Sequence, residues 1–234
     1  MQNVWQWIRN RLQAETWLLA SIAGLLLIFG SIADEVMEGS TSKFDRYVIE
    51  AFRTVGNSSD PIGPPWVPEM ARDITALGSV AVLAIVLFAV VGYLLLSQKR
   101  TAAWLVLAAV LGGEAMNSLL KLGFARPRPD FVATSVKVFT ASFPSGHAAM
   151  SAITYLTLAA LLARTTSSRR LRLYFVTIGI VLTLFVGVSR VYLGVHYPTD
   201  VLAGWCVGAA WALGCWAIMT GLQRAGGIEP PKRL

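Results

Sequence analysis

Six times along its 234 residues the chain runs for seventeen or more positions with two charges at most. The runs fall near 16–33, 78–97, 101–120, 147–163, 171–191 and 201–222. Crossing a hydrocarbon core of about 30 Å at about 1.5 Å per residue takes about twenty residues. In lipid a single segment satisfies its own backbone only as a helix. The expected fold is therefore all-α: an integral membrane bundle of six transmembrane helices, in one domain covering 1–234. Composition agrees, with 55% hydrophobic and 14% charged residues and a mean hydropathy of +0.59. Soluble domains carry about 25% charge, so there is too little polar surface here for a water-facing globule, and the same figures exclude disorder. The first run is too long and too late for a cleaved signal peptide and is expected to stay as a retained anchor.

The net charge of +7 is read as topology rather than as affinity for nucleic acid. With the amino terminus inside, the inner segments hold Arg9, Arg11, Lys99, Arg100, Arg164, Arg169, Arg170, Arg172, Arg224, Lys232 and Arg233 against only Glu15 and Glu229. The outer segments mix nine basic with ten acidic residues. Positive residues mark the cytoplasmic side, so both termini are expected in the cytoplasm of a bacterial-type inner membrane. Trp5, Trp7 and Trp17 read as an inner interfacial belt, and Trp205, Trp211 and Trp216 as lipid or packing contacts. Cys206 and Cys215, nine apart in an apolar run, fall on opposite helix faces and imply neither a disulfide nor a metal site.

The outer connection 34–77 is the least membrane-like stretch. Phe44, Tyr47, Val48, Ala51, Phe52 and Val55 recur at helical spacing, with Lys43, Asp45, Arg46, Glu50 and Arg53 opposite, which predicts an amphipathic helix lying at the lipid interface. The Pro- and Gly-rich stretch 57–68 breaks it. Val67, Met70, Ala71, Ile74 and Leu77 then begin a second helix leading into the next run. Arg72 and Asp73 there read as capping or interfacial residues.

Charges and imidazoles at membrane depth are costly, so polar clusters at the ends of apolar runs point to function. There are three, and the charge-derived topology puts all of them on the outer side. Lys121, Arg126 and Arg128 follow the third run; Ser142, Pro144, Ser145, Gly146 and His147 open the fourth; Ser189, Arg190, His196 and Asp200 lie between the fifth and sixth. Alone, the first would pass for an interfacial anchor. Together Lys121, Arg128 and Arg190 call for an anion, and the arginine fork suits phosphate oxygens. Pro144-Ser145-Gly146-His147 is a turn opening a helix, whose free amides and dipole favour a phosphoryl group, with the Ser145 hydroxyl as a further donor. His196 and Asp200 are four apart, close enough for the carboxylate to orient the imidazole. The chain has only two histidines, and both fall in these clusters. Two imidazoles can divide phosphoryl transfer between a nucleophile and a proton donor. Glu114 and Asn117 share a helix face with Lys121, which puts Glu114 behind the cations as a partner of Lys121 or Arg190, or as simple neutralisation. Arg126 is grouped with these two as a supporting residue.

At these positions the chain resembles the type 2 phosphatidic acid phosphatase superfamily. Lys121 with Arg128-Pro129, then Pro144-Ser145-Gly146-His147, then Ser189-Arg190 with His196 and Asp200 reproduce its three motifs in order. The resemblance covers about 70–222. It implies a six-helix bundle, His196 as nucleophile forming a phosphohistidine, Asp200 orienting it and His147 as general acid. Lys121, Arg128, Arg190, Ser145 and Gly146 would hold the phosphate. It further implies metal-independent hydrolysis, with no cofactor, of a lipid phosphate or diphosphate, foremost undecaprenyl diphosphate or phosphatidylglycerol phosphate. The partners expected are the lipid substrate and the bilayer, with no nucleic acid and no protein partner. A phosphotransferase using the same phosphohistidine, and a non-enzymatic anion or lipid carrier, are the competing readings. The carrier requires a polar path to the cytoplasmic side, where the spans are almost wholly apolar.

Overall fold

The computed structural model describes residues 2–130 and 140–224. Helix α1 (Gln2–Glu38) is followed by the short α2 (Ser42–Ala51), a two-stranded antiparallel hairpin of β1 (Arg53–Thr54) and β2 (Asn57–Pro61), and α3 (Trp66–Ala76). Five longer helices complete the chain: α4 (Val80–Leu96), α5 (Arg100–Phe124), α6 (Gly146–Arg164), α7 (Arg169–Tyr192) and α8 (Pro198–Arg224). Serine marks three starts, since the Ser79, Ser145 and Ser168 side chains accept from amides in the first turns of α4, α6 and α7. A short oxygen there satisfies an amide that has no partner in its own helix.

Helix α6 is the central element, packed along both α7 and α8; α1 leans on α8, α4 on α5 and α3 on α7. Close approach depends on glycine. A Cβ at Gly208 would lie 2.5 Å from the Ala149 carbonyl oxygen, and one at Gly187 2.3 Å from the Trp205 ring. Between apolar helices in lipid, backbone proximity of this kind takes over much of the role that hydrophobic burial has in water. The Trp205 and Trp211 indoles each donate to a carbonyl of a neighbouring helix, Thr183 and Ala109, so they are packing residues. Trp17 is exposed. The side chains of Trp5, Trp7 and Arg224, and residues Glu229, Lys232 and Arg233, lie outside the described ones.

Three sequence expectations change. Five helices are long and apolar enough to cross a membrane (α1, α5, α6, α7 and α8), whereas α4 passes only together with α3, from which it is bent by 46°. The bend falls at Leu77–Ser79, where Ser79 caps a fresh helix and Gly78 lies against Val186 and His147. The connection also contains the β1–β2 hairpin, which turns through Gly56 at φ +81°. Its polar strand Asn57–Pro61 lacks the alternation that reveals a strand. Finally, α2 forms but is rotated: Asp45 and Ile49 are buried, as is Arg53 just beyond the helix in β1, while Phe44 and Tyr47 are exposed. Ile49 stands on the same face as Asp45 and Phe52, and the hydrogen bonds described below compensate the buried charges.

Replacing Gly208 by alanine forces α6 and α8 apart and is expected to cost about 1–3 kcal/mol. Gly24→Ala, where no atom lies within 4 Å, serves as a neutral control. Thermal unfolding in detergent compares the two.

Candidate active site

The three polar clusters meet at one end of the bundle. The end of α5 brings Lys121; α5 stops at Ala125, whose left-handed backbone (φ +46°) turns the chain towards Arg126 and Arg128. The start of α6 brings Ser145, Gly146 and His147; the end of α7 brings Arg190; the turn before α8 brings His196, and its first turn Asp200. Phe143, fully buried against Phe29 and Phe124, fixes the loop that carries Ser142. A Cβ at Gly146 would lie 3.2 Å from the Asn117 side-chain nitrogen and 3.4 Å from Lys121 Cε, so glycine lets the α6 terminus reach α5.

His196 is buried, and its two ring nitrogens have different partners. Arg128 Nη1 lies 3.0 Å from Nε2. A guanidinium has only hydrogens to offer, so Nε2 must accept and is the unprotonated nitrogen of the ring. The ring proton of the neutral imidazole then sits on Nδ1, 3.3 Å from Asp200 Oδ2. Burial pushes the imidazole pKa down to about 3 against the opposing pull of Asp200, which keeps the ring neutral near pH 7. Asp200 is itself fully buried. Its Oδ2 also accepts from the Ser142 hydroxyl and, at 3.0 Å, from the Tyr197 amide, and its Oδ1 accepts from Arg126 Nη1 at 2.6 Å. A carboxylate so supplied with donors stays ionised and fixed in orientation.

The cations surround this pair. Arg128 is clamped by the Thr140 carbonyl (2.9 Å), the Val195 carbonyl (2.7 Å) and the Thr140 hydroxyl (3.2 Å). Lys121 Nζ donates to the Ala141 carbonyl at 2.7 Å. Arg190 Nη1 donates to Thr75 Oγ1 at 3.1 Å, and its buried Nε has no partner among the described residues. His147 lies within electrostatic reach of Arg190, His196, Arg128 and Lys121. The Ser145 oxygen accepts from the Ala148 amide, which leaves its proton free to donate. The whole gathers Lys121, Arg128 and Arg190 around a neutral imidazole whose Nε2 is unprotonated, a donor set whose chemistry suits a phosphoryl group.

The supporting residues divide. Glu114 accepts from Ser118 at 3.3 Å and reaches Lys121 electrostatically rather than through an ion pair, while Arg190 turns to Thr75. Asn117 is buried beside Gly146 with its Oδ1 unpartnered among the described residues. Arg126 is drawn in most closely: it bridges Asp200 and Asp45 and lies 4.1 Å over the Tyr197 ring. Burial alone would lower its pKa, but Asp200 and Asp45 raise it instead. Sequence reasoning put Ser142 in the second cluster without a role of its own and Asp45 on the polar side of the amphipathic helix, and it passed over Thr75 and Gly78. Neither Asp45 nor Thr75 carries a local signal of its place at the site.

Comparison with known proteins bears on this geometry. A family profile described as the PAP2 superfamily matches residues 102–224. Phosphatidylglycerophosphatase B of Bacillus subtilis is 34% identical over 164 residues, 69% of this chain and 79% of that protein. Decaprenylphosphoryl-5-phosphoribose phosphatase of Mycobacterium tuberculosis is 33% identical over 165 residues, 69% of this chain and 85% of that one. The crystal structure of a transmembrane PAP2 type phosphatidylglycerolphosphate phosphatase from Bacillus subtilis superposes with a TM-score of 0.78 at 28% identity, covering 87% of this chain and 98% of that one.

The bidentate fork of Arg128 cannot be replaced by a point charge. Arg128→Lys is expected to weaken binding of inorganic phosphate by roughly tenfold or more, as read by titration calorimetry on the purified protein.

Proposed function

From the premise that the chain belongs to the PAP2 superfamily and is a membrane lipid phosphatase, we propose a metal-independent hydrolysis through a phosphohistidine. The observation that supports it is the Arg128 contact to His196 Nε2, which marks that ring nitrogen as unprotonated and beside a guanidinium. The phosphate oxygens bind Arg128, Arg190 and Lys121, with the Ser145 hydroxyl and the amides opening α6. His196 Nε2 attacks phosphorus; the P–N bond forms as the bond to the lipid oxygen breaks. His147, which takes up a proton from water once the anionic phosphate offsets the charge of Arg190, Arg128 and Lys121, gives that proton to the lipid oxygen, and the lipid leaves as an alcohol or, from a diphosphate, as a lipid monophosphate. Asp200 stabilises the imidazolium. Water, deprotonated by His147, then releases inorganic phosphate and returns His196 to its neutral state.

Phosphatidylglycerol phosphate is the substrate put first, because the Bacillus subtilis relative with 34% identity and the solved structure with a TM-score of 0.78 are both named for it. A second reading, undecaprenyl diphosphate, is supported by a Sulfolobus acidocaldarius relative named undecaprenyl-diphosphatase, 40% identical over 68 residues, 29% of this chain and 29% of that one. In the same proposal α3 and α4 together form one broken span, giving six. Both termini lie in the cytoplasm, and the site opens on the outer face of the inner membrane, where the tail stays in lipid while the headgroup meets Lys121, Arg128 and Arg190. The outer segment that includes α2 lies at that interface.

Purified protein is expected to release phosphate from these lipids in the presence of a chelator, with His196→Ala reducing the rate to background; a fully active His196→Ala overturns the mechanism. Loss of the general acid weighs most on a poor leaving group. His147→Asn should therefore slow the lipid substrates far more than p-nitrophenyl phosphate, whose leaving group needs no proton. Steady-state rates on both substrates check this.

A further inference from the structure

The site end of the bundle is fastened to a part of the chain that none of the three motifs contains. Asp45, on α2, precedes the matched residues 102–224, yet it is fully buried. Its Oδ2 accepts from Arg126 Nη2 at 2.8 Å, and its Oδ1 from the Thr199 amide at 3.1 Å and the Thr199 hydroxyl at 2.9 Å. Arg126 reaches in the other direction to Asp200 Oδ1 at 2.6 Å and to Thr199 Oγ1 at 2.9 Å. One guanidinium thus joins two buried carboxylates. The first-turn amides of a helix have no intrahelical acceptor; by taking the Thr199 amide, Asp45 caps α8 from outside the helix, at the turn that carries Asp200.

We propose that Asp45 and Arg126 are positioning residues for the reaction, through which the outer helix α2 holds Asp200 in register with His196. The proposal rests on the phosphohistidine reading above. By occupying Oδ1, Arg126 leaves Oδ2 to face His196 Nδ1, and prevents the carboxylate from swinging away about its own axis. Asp45 supplies the second negative charge that Arg126 needs. Without it, Arg126 draws on Asp200 alone, in competition with the imidazolium that forms during attack. The Tyr197 face under Arg126 limits where the guanidinium can go. A second fastening fixes the same segment: Arg53 Nη1 donates to the Tyr192 carbonyl at 2.8 Å, and the Tyr192 hydroxyl to the Ile62 carbonyl at 2.7 Å, on the terminus of α7 that brings Arg190.

The test uses the full chain in detergent with short-chain phosphatidylglycerol phosphate, comparing wild type, Asp45→Asn, Arg126→Lys, Arg126→Gln, the Asp45→Asn/Arg126→Gln double variant and His196→Ala. Asp45→Asn keeps the shape and an acceptor for Thr199 but removes the charge; Arg126→Lys keeps the charge but cannot span both carboxylates. Both are expected to lower kcat by roughly ten- to a hundredfold, as for supporting residues that orient a reacting group, with KM changed less than about threefold because neither touches the phosphate. The double variant is expected to fall no further than Arg126→Gln alone, since Asp45 acts through Arg126. A purely architectural pair would instead lower thermal stability and leave the kcat of the folded fraction unchanged, which overturns the proposal. So does failure of both single variants to fold. If wild type releases no phosphate, or His196→Ala retains activity, the phosphohistidine reading itself fails and the positioning role falls with it. If those controls behave and Asp45→Asn matches wild type, only the positioning role is lost.

Discussion

The carboxylate of Asp200 is the point on which the polar end of this bundle depends. Fully buried, it accepts from Arg126, from the Ser142 hydroxyl and from the Tyr197 amide, and it faces His196 Nδ1. Each donor comes from a different stretch of chain: the segment after α5, the loop before α6, and the turn that opens α8. A buried carboxylate left short of donors would take up a proton or move. The same requirement that keeps this one charged therefore gathers the three stretches into one place. The tautomer of His196 follows from it, and from the tautomer follows a lone pair on Nε2 among the cations.

The membrane sets the second constraint. Helices that satisfy their own backbones leave only their ends for chemistry, because the free amides, the caps and the turns lie there. Four helix ends supply this site, and what lets them converge is small residues rather than apolar burial. Gly146 brings α6 to Asn117 and Lys121, Gly78 lets the bend between α3 and α4 lie against His147, and Gly204 and Gly208 bring α8 to the backbone of α6. Arg128, Lys121 and Arg190 are each held in place by donating to protein oxygens at these helix ends, so little conformational freedom is left to them.

Much of the site was legible in one dimension, for a reason particular to membrane helices. Span ends alternate sides, so counting apolar runs already places Lys121, the Pro144–His147 turn and the Arg190–Asp200 stretch at the same end. Their residue types then restrict the chemistry. The four-residue spacing of His196 and Asp200 survives even though α8 begins between them, at Pro198. Asp45 and Arg53 fall on the polar face of the amphipathic helix that the spacing predicts, because a periodicity count cannot know that a buried charge will find partners in Arg126, Thr199 and the Tyr192 carbonyl. The β1–β2 hairpin was invisible for the related reason that its strands carry no apolar alternation.

By itself the sequence determined the apolar helices, the three polar clusters at their ends and the pair of histidines within them, because each is a matter of local composition and spacing. Which nitrogen of His196 is free, where the bend in α3–α4 falls, and how α2 is bound to Asp200 through Arg126 were decided only in three dimensions. Those outcomes depend on distances between groups up to 154 positions apart in the chain, as Asp45 and Thr199 are. Hydrogen bonds between such groups form only once the bundle has excluded water from its end, so no local pattern encodes them.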